Sequence, residues 1–109
     1  MSKIIVIGNI TKDRELGSTQ NGTEYLRTGL AENISEDETI FYELTLFRPS
    51  EHAKRSFVKG ARVHIIGAFE DYMYEHDGER KLSRNITVDS YQLLAKAKSG
   101  SDTATNKIR

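Results

Sequence analysis

Residues Thr39 to Phe47 alternate with a period of two, the repeat of a β-strand rather than a helix. Side chains along a strand point to opposite faces in turn. Phe41, Glu43, Thr45 and Phe47 therefore share one face, and Ile40, Tyr42, Leu44 and Leu46 share the other. The second set is apolar and suits a core. The first set places two aromatic rings among polar neighbours. A strand with one buried face needs other strands around a common interior.

The rest of the chain supplies them. Lys3 to Ile10 is rich in β-branched residues and reads as a strand, with a bulge or bend expected at Gly8. Gly17 to Gly22 is a turn, with Asn21-Gly22 its strongest signal. Glu24 to about Ile34 is a weaker strand, followed by an acidic loop, Ser35-Glu36-Asp37-Glu38. Pro49-Ser50-Glu51 opens a short helix with Ser50 as N-cap, running to about Val58 and stopping before Gly60. Ala61 to Tyr74 and Arg80 to Leu94 form a long hairpin around His76-Asp77-Gly78-Glu79, since Asp-Gly suits positive φ. Three strands, one short helix and two strands match an all-β, five-stranded OB-fold barrel, with the helix between strands three and four and a long hairpin of strands four and five.

At 109 residues the chain fits one domain, which we place at residues 1–95. Residues 96–109 form a short flexible basic tail, and removing residues from Ser99 onward is expected to leave the fold intact. The absence of Cys excludes disulfides and thiolate metal sites. No apolar run is long enough to span a membrane, and a cytoplasmic protein is expected. Net charge is zero. From Ala95 onward there are four basic residues and one acidic, a balance of +3, so residues 1–94 carry −3. A body of that charge attracts polyanions only where its basic groups cluster.

Five blocks in order resemble the bacterial and phage single-stranded DNA-binding (SSB) family. Ile4 to Asp13 resembles its opening strand, which has a hydrophobic run, Gly-Asn-Leu and a basic-acidic pair. Glu15-Leu16 and Asn21-Gly22-Thr23 follow at similar spacing. Phe41 to Phe47 is similar in position to the family's Trp-His-Arg-Val-Val-Leu-Phe, and Phe57 to Gly67 resembles its Leu-x-Lys-Gly-x-x-Val-x-Val-x-Gly block. The resemblance covers residues 3–94. It implies binding and protection of single-stranded DNA in replication, recombination and repair, by a homo-oligomer, tetramer or dimer, with no cofactor and no catalysis.

By the same resemblance, Phe41 stands where the family has a stacking Trp, Phe47 where it has a stacking Phe, and Tyr74 where a second Trp lies on the hairpin. Tyr72 shares a strand face with Tyr74. For Phe41 and Phe47 the other reading is core packing. For Tyr72 and Tyr74 it is cross-strand packing within the hairpin. Arg80, Lys81 and Arg84 neighbour Tyr74 and are the first candidates for phosphate contacts; Lys3, Lys12, Arg27 and Arg48 are the next. Stacking is sequence-tolerant because every base has a π-face, and phosphate neutralisation makes such binding salt-sensitive.

The chain also departs from the family. No aromatic occupies the acidic loop, Glu70-Asp71 stands where the hairpin is usually basic, and the chain ends in Asn106-Lys107-Ile108-Arg109 instead of an acidic, Phe-terminated tip. These departures favour a phage, plasmid or accessory type, and support a runner-up reading: an OB-fold interaction module of primosomal accessory type with weak DNA affinity. His52, His64 and His76 lie on different elements with no metal-ligand spacing, and no nucleophile or phosphate-loop motif occurs.

Overall fold

The computed structural model describes residues 2–97. Its elements are β1 (Ser2–Ile10), β2 (Glu15–Ser18), β3 (Glu24–Ser35), β4 (Glu38–Phe47), α1 (Glu51–Ser56), β5 (Arg62–His76) and β6 (Glu79–Ala95). The sheet order is β1-β5-β6-β4-β3-β2, and β1 also pairs with β3. Five strands thus close into a ring, with β2 attached to the outer edge of β3. All pairings are antiparallel except β4 with β6, which run parallel at Glu43↔Asn85, Leu44↔Ile86 and Thr45↔Thr87. This is the OB arrangement, with the helix leading from the third ring strand to the fourth.

The inward residues of each strand fill the ring. Val6, Ile10, Leu26, Leu30, Leu44, Val63, Ile65 and Ile86 are all at most 2% exposed. The helix segment seals one end with Ala53 and Phe57. The Phe57 ring meets Tyr91 edge-on, centroids 4.9 Å apart. Ser50 caps the helix by accepting from the Ala53 N–H at 3.1 Å. The helix is shorter than the expected run to Val58. Phe57 leaves helical geometry at ψ 69° as it turns into the core, and the chain then returns so that Gly60 N–H donates to the Ile10 carbonyl at 2.8 Å.

Closure depends on Gly8. A Cβ there would lie 2.4 Å from the Ala31 carbonyl oxygen, beside the Asn9↔Ala31 pair where β1 reaches β3. Gly8 keeps its register with Val63 in β5, so of the expected bulge or bend no bulge forms, and the glycine serves close approach. Two further details depart from expectation. An extra strand, β2, starts at Glu15 and takes up Gly17 and Ser18 of the expected turn, and the acidic loop contracts to Glu36-Asp37 between strands that reach Ser35 and Glu38.

Beyond the ring, β5 and β6 continue as a two-stranded arm, paired out to His76↔Glu79. Its turn holds Asp77 at φ 54° and Gly78 at φ 79°, as the Asp-Gly pair requires. Residues 70–82 are exposed throughout. No helix among the described residues is long and apolar enough to cross a membrane. The tail from residue 98, and with it the expectation for truncation at Ser99, lies outside the described residues.

Candidate functional site

The outward face of β3 and β4 gathers much of the chain's exposed aromatic surface. Register sets Tyr25, Arg27, Gly29 and Ala31 of β3 opposite Phe47, Thr45, Glu43 and Phe41 of β4. Leu44 and Tyr42, on the other face of β4, are buried; Phe41 is 63% exposed and Phe47 42%. Core packing therefore does not account for either Phe. Tyr25 stands edge-on to Phe47, centroids 6.5 Å apart. With Thr19, Arg27 and Thr45 these rings line a shallow slot of about 300 Å³. Tyr25 lies over Gly17 of β2, whose missing side chain leaves room for the ring.

Basic groups reach this face by different routes. Arg27 projects directly from β3. Lys12 arrives from the β1–β2 connection. Its carbonyl accepts from the buried Thr28 hydroxyl at 2.6 Å, and its side chain passes near Gly29, where a Cβ would be 3.7 Å from Lys12 Cε. Its ammonium ends 3.8 Å from Glu43, between Phe41 and Phe47 along the strand. Lys3 stands at the far end of a row that crosses the sheet through Ala68, Thr87 and Thr45 to Arg27. It is ion-paired with Asp89. Arg48 is exposed at the corner after Phe47, with φ 55°, and its N–H donates to the Glu24 carbonyl at 2.8 Å.

The arm splits the remaining candidates between its two faces. Glu70 pairs with Asn85, which pairs in turn with Glu43, so the Glu70 side of the arm continues the outward face of the ring. Tyr72 and Tyr74 are on that side, centroids 6.3 Å apart. Their direct cross-strand partners are Ser83 and Lys81, so neither ring packs against an aromatic across the hairpin. Arg80 and Arg84 pair with Glu75 and Asp71 and point to the opposite side, with Met73 and Leu82. Of the three basic residues expected beside Tyr74, the fold brings only Lys81 onto the tyrosine face, 3.9 Å from Glu79. Arg80 still borders a depression with Tyr74 near the arm tip.

Arg84 instead lies close enough to influence Tyr42. Burial raises the Tyr42 phenol above its ordinary value, and the hydrogen bond it donates to Glu32 at 3.0 Å and that carboxylate's charge add to the rise; Arg84 opposes it. Tyr42 also packs edge-on to Phe69 where the arm leaves the ring.

Tyr25 is the site residue that the sequence reading did not single out. Its signal was present: continuing the β3 alternation back from Arg27 puts Tyr25 on the same face. Among the described residues no cluster of His, Asp or Glu is arranged to hold a metal.

Comparison with known proteins bears on what kind of ring this is. Structures of a small single-stranded DNA-binding protein from Streptomyces coelicolor and a mitochondrial single-stranded DNA binding protein from S. cerevisiae superpose with TM-scores of 0.74 and 0.71. At 18% and 22% identity, over 84% and 88% of this chain and 93% and 97% of theirs, they establish the fold. A single-stranded DNA-binding protein of Helicobacter hepaticus is 30% identical over 96% of this chain and 68% of its own length. One from Staphylococcus aureus, single-stranded DNA-binding protein 2, is 30% identical over 86% of this chain and 72% of its own. This chain thus spans about two thirds of the length of such relatives. A profile of the single-strand binding protein family matches residues 1–94, the whole ring and arm, and the chain therefore belongs to that family.

Proposed function

We propose that the protein binds single-stranded DNA with little sequence selection, protecting it during replication, recombination and repair, and performs no catalysis. One observation carries the reading: Phe41, Phe47, Tyr72 and Tyr74 are exposed on one continuous outward face that runs from the ring onto the arm. Bases stack on these rings and on Tyr25. Arg27, Lys12 and Lys81 meet phosphates on the same face, with Lys3 and Arg48 at its margins. Arg80 and Arg84 serve only a strand that wraps round the arm. The domain is residues 1–95, it needs no cofactor, and it works in the cytoplasm of a bacterium or of a phage's host.

The protein acts as a homo-oligomer, a tetramer or a dimer. Support comes from β1, which meets β3 only at Asn9 and Ile10, leaving its edge open before them. That strand exposes Ile5 at 65% and Ile7 at 42%. An open apolar edge invites pairing with a second copy.

The test is fluorescence anisotropy of labelled oligo-dT titrated with protein across a range of salt, beside a duplex control. The label belongs on the DNA because the chain has no Trp. Tight, salt-sensitive binding to the single strand alone supports the reading. A specific observation favours the runner-up, an interaction module of weak DNA affinity: Lys3, Lys12 and Lys81 each already face a carboxylate. Absence of binding at low salt would select that alternative.

A further inference from the structure

Glu43 is out of place on a surface meant for phosphates. It lies in the same row of outward side chains as Phe41 and Phe47, two residues from the first and four from the second. Its side chain is 45% exposed, so it is neither a core residue nor a loose charge at the rim. The Lys12 ammonium stands 3.8 Å away, which is an ion pair but lies beyond hydrogen-bonding range. Opposite it on β3 is Gly29, covered by the Thr11 hydroxyl and the Lys12 stem, and even beside them close to half of the Glu43 side chain faces solvent. The oxygens thus stay open to a donor arriving from outside.

A strand lying on this face sets a phosphate against the Lys12 ammonium and not against Glu43 itself, where two negative groups would meet. It must turn a base toward the carboxylate instead. Residues two apart on a strand face are separated by about 7 Å, roughly the width of a base. A base stacked on Phe41 therefore brings an edge to Glu43. The four bases differ in what that edge offers. Guanine presents N1–H and the 2-amino group side by side, matching the two oxygens of a carboxylate. Cytosine and adenine offer one amino group next to an acceptor nitrogen. Thymine offers a single N3–H between two carbonyls whose lone pairs face the carboxylate.

We infer that Glu43 reads the base stacked on Phe41 and biases an otherwise tolerant site toward guanine and against thymine. The inference rests on the single-strand binding proposed above. It deepens that reading by assigning base preference to one side chain.

The experiment measures anisotropy with three labelled strands of equal length: oligo-dT, alternating dT-dG and alternating dT-dI. Alternation offers a purine in every binding register, and inosine keeps the purine stack and N1–H but lacks the 2-amino group. For the wild type, dT-dG should bind about fivefold or more tighter than dT-dI, with dT weakest, the low end of what a bidentate base contact discriminates. In Glu43→Gln the dG-over-dI advantage should disappear, while affinity for dT rises because a repelling charge is gone. Equal wild-type affinity for dT-dG and dT-dI, or an advantage that survives in Glu43→Gln, would overturn the inference and leave the binding reading standing. Failure of all three strands to bind at low salt would remove the binding reading itself, and this inference with it.

Discussion

The arm continues two strands of the ring, β5 and β6, yet the two parts of those strands obey different rules. Within the ring, Val63, Ile65, Ile86 and Val88 point inward and are buried. From Glu70 to Leu82 no residue is buried on either face. A two-stranded ribbon has no core and is marginal by itself. The arm keeps its shape through its Asp77-Gly78 turn, its cross-strand pairs and its continuity with the ring. Packing therefore dictates sequence in the ring and leaves it free in the arm. An arm side chain can be chosen for what it touches outside the protein.

Substitutions should separate the two regimes. The largest effect is expected at the sealed end of the ring. Phe57→Ala empties a fully buried site and should cost about 3–5 kcal/mol of stability, read from the urea midpoint. Tyr74→Ala on the arm should leave that midpoint nearly unmoved. If both fell equally, the arm would be part of the cooperative core and the contrast would fail. Next comes Phe41→Ala, which should weaken oligo-dT binding by about 1–3 kcal/mol while thermal stability stays close to wild type. Tyr74→Ala should lose less binding, because its platform stands on a two-stranded arm with no buried core beneath it. A third substitution, Gly78→Ala, places a side chain at φ 79° and should cost about 1 kcal/mol. That loss should appear as faster amide exchange in the arm and not in β1 or β3.

The smallest effect concerns the junction between the two regions. The Tyr42 phenol sits above its ordinary 10.0, so folding favours its neutral form. Its contribution is complete below pH 10 and is lost as pH rises through the folded value. Tyr42→Phe should flatten the alkaline decline in melting temperature. An unchanged decline would show that other groups set it.

Much of this was legible in the sequence, for reasons that differ by residue. The β4 alternation separated Leu44 from Phe41 because one strand face is apolar and the other is not. Asp77-Gly78 marked the arm because few dipeptides tolerate two positive φ values. β2 was not legible. Glu15-Leu16-Gly17-Ser18 has neither period nor β-branched residues, and it is a strand because β3 offers it an edge. The side of the arm taken by Arg80 and Arg84 depends on counting from the correct cross-strand pair, and proximity to Tyr74 in sequence pointed the wrong way. The seat of Thr11 on the sheet depends on Gly29, eighteen residues later, where a Cβ would lie 2.4 Å from the Thr11 hydroxyl oxygen, and only the folded structure reveals it.

The parallel contact between β4 and β6 spans only three residue pairs. It joins segments that cannot form a local hairpin, as the β1–β5 pairing of residues 2–9 with residues 62–69 also cannot. Both require long loops to close before any bond rewards them. Refolding should accordingly be slow for a chain of this size, in the range of milliseconds to seconds typical of non-local β topologies. The hairpins β3–β4 and β5–β6 would assemble first as separate pieces. Until β4 and β6 meet, the half-built sheet shows an apolar inner surface and raw strand edges to every neighbour, so crowding during renaturation, more than temperature, should decide how much protein is recovered.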